Sequence, residues 1–297
     1  MPGHPLIARI PESSSSALFG FSHKAMATVF EILVGHPDAA YAQKAALEAF
    51  LLIDRLEGEF SRFIGNSDIS RINRAAVREQ VRVNPAVFEC LRRSMAAWEM
   101  TGGAFDVTVG HLKDPGGKGG PPVRETAAGM DALVLDGSGF MVTKTRPVEI
   151  DLGGIGKGFA LDRAADLLLE WDLHDVFLHG GTSSVLARGR PSGRDGWEVT
   201  ISRPEDRGRI LHRFVLRDRS MSGSGVEKGF HIIDPERLAP AQDTLAAWAV
   251  AKDAALADAL STAFMVMGWE DVKRLCSEDP DIKAVVVKKD GEVLSIL

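Results

Sequence analysis

Asp258 and Thr262 stand four residues apart in the stretch ALADALSTAFMVMG, residues 255–268, whose other positions are almost all apolar. A helix that is apolar all round is buried, and a carboxylate inside it must be paired, hydrogen-bonded or bound to a cation. At this separation the Thr262 hydroxyl lies on the same face as Asp258, one turn on. The two are hard oxygen donors of the kind Mg²⁺ takes, with water and phosphate filling its other positions. The structural alternative is that Asp258 pairs with an arginine or caps a neighbouring loop, while Thr262 bonds its own backbone.

Three further stretches could carry chemistry. In DLGGIGKGFALDRAADLLLEW, residues 151–171, Asp151 precedes four glycines with Lys157 among them, and a helical pattern follows. Glycine weakens a helix by roughly 1 kcal/mol relative to alanine, so the cluster implies a tight bend or a close approach. A helix N-terminus offers free N–H groups and the positive end of the dipole, which suit a phosphate; close helix–sheet packing explains the glycines equally well. The spacing is neither a Walker loop nor a dinucleotide fingerprint. In SMSGSGVEKGFHIIDP, residues 220–235, His231 is either a satisfied histidine before an apolar pair or a general base titrating near neutrality. TGGAFDVTVGHL, residues 101–112, shows glycines, an aromatic and then Asp106, which by itself indicates a tight turn.

The elements that must position these residues follow from periodicity and caps. A strand is predicted at 28–35 and an amphipathic helix at 37–61, with Leu47, Leu51, Ile53 and Leu56 near one face. Ser67 caps a short helix at 67–76, and Asn84-Pro85 opens one from 86 to about 100. Strands are expected at 131–135, 140–143, 147–152, 175–179, 183–188, 196–202, 209–217 and 246–251, and a hairpin at 282–288 and 291–296 turning at KDG. Helices are expected at 155–171, 253–267 and 269–276. DPGGKGGPP, residues 114–122, reads as a mobile loop. Clustered strands mixed with helices give an α+β fold with a largely antiparallel sheet.

Composition narrows the function. The chain has 297 residues, 45% hydrophobic, enough for a substantial core. A net charge of -6 with scattered Lys and Arg excludes nucleic acid or an anionic membrane surface as the main partner. Cys90 and Cys276 lie far apart on apolar helix faces and read as core thiols. No apolar run reaches the roughly 18 residues of a membrane span. The first twenty residues show neither a basic region nor an apolar core of a signal peptide, so a cytoplasmic location is expected.

The motifs MATVFEI (26–32), FSRFIGNSDISRIN (60–73), GGAFDVTVGHL (102–112), DLGGIGKGFALD (151–162), HGGTSSVLARG (179–189), SGSGVEKGFHIIDP (222–235) and ADALSTAFMVMG (257–268) occur in order. Together they resemble the FAD:protein FMN transferase family, the ApbE-like flavin transferases. The resemblance implies a single α+β domain over 25–297 with a T-fold-like antiparallel core flanked by helices, and a loosely packed extension over 1–24. It implies transfer of FMN from FAD to a Thr or Ser hydroxyl of an acceptor protein, with release of AMP. By the same resemblance Gly154, Asp258 and Thr262 would hold Mg²⁺, and His231 would be the base. Met26, Phe63, Ala104, Phe105, Asp106, Asp151, Lys157 and Ile233 would contact FAD. Phe63 stands where the family usually has tyrosine, His179 where it often has asparagine, and ERLAP (236–240) where it commonly continues toward RTG. An FAD pyrophosphatase or a flavin-binding protein would use the same residues.

Overall fold

The computed structural model describes residues 7–8, 18–112, 128–226 and 232–297. In chain order the first strands are β1 (Ile7–Ala8), β2 (Leu18–Ala25) and β3 (Thr28–Gly35), followed by α1 (Ala39–Phe60), α2 (Asp68–Arg74), β4 (Gln80–Arg82) and α3 (Pro85–Met100). Then come β5 (Leu133–Asp136), β6 (Met141–Lys144), α4 (Gly156–Glu170), β7 (Val176–Gly180), β8 (Ser184–Arg188), β9 (Trp197–Ser202), β10 (Ile210–Leu216) and β11 (Arg219–Gly225). The last part holds β12 (Ile233–Asp234), β13 (Ala239–Pro240), β14 (Thr244–Ala251), α5 (Ala254–Phe264), α6 (Trp269–Glu278), β15 (Lys283–Lys288) and β16 (Val293–Ile296).

The predicted caps Ser67 and Asn84 each accept a first-turn N–H at the start of α2 and α3, and Asp38 and Asp253, not predicted as caps, do the same for α1 and α5. Eight strands make one antiparallel sheet in the order β16-β15-β14-β11-β8-β7-β3-β2. One face carries the main core, closed by α1, α3, α4 and α5. The other carries a second core, in which Trp197, Val199, Ile201 and Leu216 of the small β1-β9-β10 sheet meet Leu33, Phe177, Met221 and Trp248. The result is an α+β fold with an antiparallel sheet flanked by helices. Cys90 and Cys276 are buried free thiols within the main core.

Several elements differ from expectation. Leu18–Ala25, within the segment expected to be a loose extension, is the edge strand of the large sheet and pairs with β3 along its whole length. The Ser/Gly run at 220–225, where no strand is predicted, belongs to an interior strand, β11, between β8 and β14. No strand forms at 147–152: Glu149 makes a single bridge to Val109, and Leu152–Gly154 is a turn of 3₁₀ helix. Leu47 and Leu51 are 57% and 45% exposed, while Ile53 and Leu56 are buried as expected, on a face completed by Ala42, Ala45, Ala46, Ala49, Phe50 and Phe60. Phe60 of α1 packs against Phe159 of α4, with ring centroids 5.5 Å apart. The loop at 114–122 lies outside the described residues. Among the described residues no helix is long and apolar enough to cross a membrane.

Candidate functional site

Asp258 is 3% exposed and is held from three elements. Its Oδ2 accepts the Gly158 N–H at 3.1 Å, and its Oδ1 accepts the hydroxyls of Ser184 at 3.1 Å and Ser222 at 2.9 Å. The Lys157 ammonium lies 3.5 Å from Oδ2 and donates to the Gly153 carbonyl at 3.1 Å. The anion at the start of α4 is therefore the chain's own carboxylate, delivered by α5, and the dipole of α4 favours it there. Among the described residues no arginine pairs with it.

The arrangement is reciprocal. Asp162, on α4, accepts the N–H groups of Ala254 and Ala255 at 2.7 and 3.0 Å, at the start of α5. Burial, then the nearby Asp253 carboxylate, pushes the Asp162 pKa up to about 7, against the pull of those two N–H donors and of Arg93. Each helix thus supplies an acid to the first turn of the other. The glycines permit this closeness: a Cβ on Gly158 would stand 2.0 Å from the Ala254 carbonyl oxygen. None of Gly153, Gly154, Gly156 and Gly158 has a positive φ, so the cluster serves close approach and not a left-handed bend.

Thr262 and Gly154 complete this corner. The Thr262 hydroxyl donates to the Asp258 carbonyl at 3.2 Å and lies 3.3 Å from the Ser224 hydroxyl. A Cβ on Gly154 would come within 3.2 Å of both the Thr262 Oγ1 and the Phe105 ring. Asp258, Thr262, Gly154 and Lys157 line one cavity of about 470 Å³. Phe63, Ala104, Phe105, Asp106, Asp151 and Ile233 also line it.

The other predicted residues divide by what they touch. Asp151 accepts the Gly153 N–H at 2.7 Å and so caps the turn that carries Gly154. Asp106 is buried and folds back on its own loop, accepting the Thr108 N–H and hydroxyl at 2.7 and 2.6 Å; burial pushes its pKa up while those bonds oppose the shift. Phe63 is 80% exposed, with the Arg62 guanidinium 4.8 Å from its ring centroid. Met26 is not among the residues lining the cavity. It occupies, with Ala27, a two-residue hairpin turn at φ 48° and 56°, and packs half-buried against the main core. His231 lies outside the described residues.

Residues that sequence reasoning missed form much of the wall. Arg62 pairs with Glu149 at 2.9 Å and Asp151 at 3.2 Å and donates to the Gly110 carbonyl. The wall also includes Thr182 and Ser183 in the β7–β8 turn, Ser224 on β11 and Trp248 on β14. Trp248 lies opposite Gly223, where a Cβ would meet the indole at 2.6 Å. Strand alternation was the available signal: Ser220, Ser222 and Ser224 fall on one face of β11, and Ser222 and Ser224 reach α5.

Among the described residues no group of three or more His, Cys, Asp or Glu side chains is gathered for a metal. The donors on offer are one carboxylate, one hydroxyl and backbone oxygen. That set fits a hard divalent cation that keeps waters and takes phosphate oxygens. The ammonium already beside Asp258 Oδ2 shows that this carboxylate accepts a cationic neighbour.

Comparisons with known proteins give the chain a family. The FAD:protein FMN transferase of Klebsiella pneumoniae is 26% identical over 96% of this chain and 88% of its own length. That of Chlamydia trachomatis is 28% identical over 81% and 83%. The crystal structure of the ApbE protein from Thermotoga maritima superimposes with a TM-score of 0.82 at 27% identity, covering 94% of this chain and 96% of that one. The flavin transferase ApbE from Vibrio cholerae has the same fold, with a TM-score of 0.82 at 23% identity over 95% and 97%. The profile of the ApbE family matches residues 26–286, which takes in every cavity-lining motif described above, and the chain belongs to that family.

Proposed function

We propose that the protein transfers FMN from FAD to a Thr or Ser hydroxyl of an acceptor protein, releasing AMP. The observation that carries this is the convergence of Asp258, Thr262, Gly154 and Lys157, from two distant segments, on the wall of one cavity. In the transfer, the acceptor oxygen bonds to the phosphorus of the FMN half, the diphosphate P–O bond breaks, and AMP leaves with the electron pair. The hydroxyl proton passes to a base, the role the family resemblance gives to His231.

The chain's own groups account for the rest. Lys157, held beside the cavity by the Gly153 carbonyl, places positive charge where the leaving phosphate becomes more negative. Ser184, Ser222 and the Gly158 N–H fix the Asp258 carboxylate in one orientation. Phe63, exposed at the rim, offers a ring face to a flavin or adenine. Mg²⁺ held by Asp258, Thr262 and Gly154 would supply Lewis-acid polarisation of the diphosphate.

The test is incubation with FAD, Mg²⁺ and a Thr-containing segment of a candidate acceptor, read by mass spectrometry. The expected result is an FMN adduct on the segment and an equal amount of AMP. AMP and free FMN, without adduct on any acceptor tried, would replace transfer with hydrolysis.

A further inference from the structure

Lys157 is placed in a way that the transfer reaction alone does not require. Its ammonium lies between the Gly153 carbonyl oxygen, 3.1 Å away, and the buried Asp258 Oδ2, 3.5 Å away. A carboxylate and a backbone carbonyl of the 152–154 turn are the same oxygen chemistry that the proposed cation would use. Asp258 has three further donors in Gly158, Ser184 and Ser222, so the lysine is not needed to satisfy its hydrogen bonds. Two cations crowded onto one buried carboxylate repel each other.

We propose that Lys157 is a resident counter-ion of Asp258 that opposes divalent-cation binding, and that the FAD diphosphate relieves the opposition by giving the ammonium another anion. This rests on the transferase reading and adds an order to it: the metal binds weakly to the empty protein and tightly once FAD is in place. By linkage, the metal strengthens FAD binding by the same factor. Arriving with its diphosphate, the cation would not be retained by an enzyme without substrate.

The test is Mn²⁺ binding, followed by calorimetry, to the full chain without FAD. Lys157→Met should bind Mn²⁺ about tenfold more tightly than the unmodified protein, since one positive charge next to the carboxylate is gone. Lys157→Arg, which keeps that charge, should bind no more tightly, and Asp258→Ala should not bind. The proposal is overturned if Lys157→Met binds no more tightly while Asp258→Ala still abolishes binding in the presence of FAD; the transferase reading then stands. Should none of these proteins bind Mn²⁺ with or without FAD, both fall together. A melting temperature close to that of the unmodified protein is the expected sign that Lys157→Met is folded, since three donors to Asp258 remain.

Discussion

Phe63 and Asp258 mark the two extremes among the residues of the site. Phe63 is almost fully exposed, so its ring contributes little to the folded state. Phe63→Ala should leave stability within about 0.5 kcal/mol while raising the KM for FAD by about tenfold, as loss of a stacking face predicts; Phe63→Tyr should retain the low KM. Asp258 is the opposite case, buried and bonded to three elements. Asp258→Ala should cut transfer by at least ~10²-fold and also lower the melting temperature, because Ser184, Ser222 and the Gly158 N–H lose their acceptor. Asp258 was legible in the sequence because a lone acid in an apolar helix demands a partner. Arg62 was not, because a site arginine and a surface arginine have the same letter and nothing nearby announces Glu149 or Asp151, far along the chain.

Among the elements, α4 and α5 decide the geometry, and glycine is what brings them together. Gly158→Ala would push a methyl group into the Ala254 carbonyl, and overpacking of this kind costs about 1–3 kcal/mol. A lowered urea midpoint, with activity lost in proportion to the displaced Asp258, is the expected outcome. Gly154→Ala meets looser contacts at 3.2 Å and should lose activity before stability. The helices were readable from caps and periodicity, since Asn84 and Ser67 are local signals. β11 was not: serine and glycine are poor strand formers, and only the hydroxyls taken up by Asp258 and Ser261, together with the Trp248 indole over Gly223, explain why they suit an interior strand. The edge strand β2 escaped for a related reason, as Leu18–Ala25 mixes His, Lys, Ser and Gly into its pattern. In α1 two of the four predicted face residues, Leu47 and Leu51, misled, while Ile53 and Leu56 are buried among four alanines.

For the molecule as a whole, Arg93, Asp162 and Asp253 tie α3, α4 and the start of α5 into one charged knot inside the main core. Asp162 has a folded pKa near 7 against an ordinary value of 3.8, so the native state binds the extra proton between those limits. Its contribution to stability is therefore full below about pH 4 and is lost as pH rises through 7. Urea midpoints of the protein minus those of Asp162→Asn should fall across that range. The N-terminal hairpin carries its own strain, with Met26 and Ala27 both left-handed. Ala27→Gly should raise the melting temperature, since a left-handed non-glycine residue costs roughly 1–2 kcal/mol. The position of Trp248 in the cavity wall has an optical consequence. An indole in the wall of a cavity that receives FAD can pass its excited state to the flavin, so substrate arrival should dim the protein's ultraviolet emission, and Trp248→Phe should lessen that dimming.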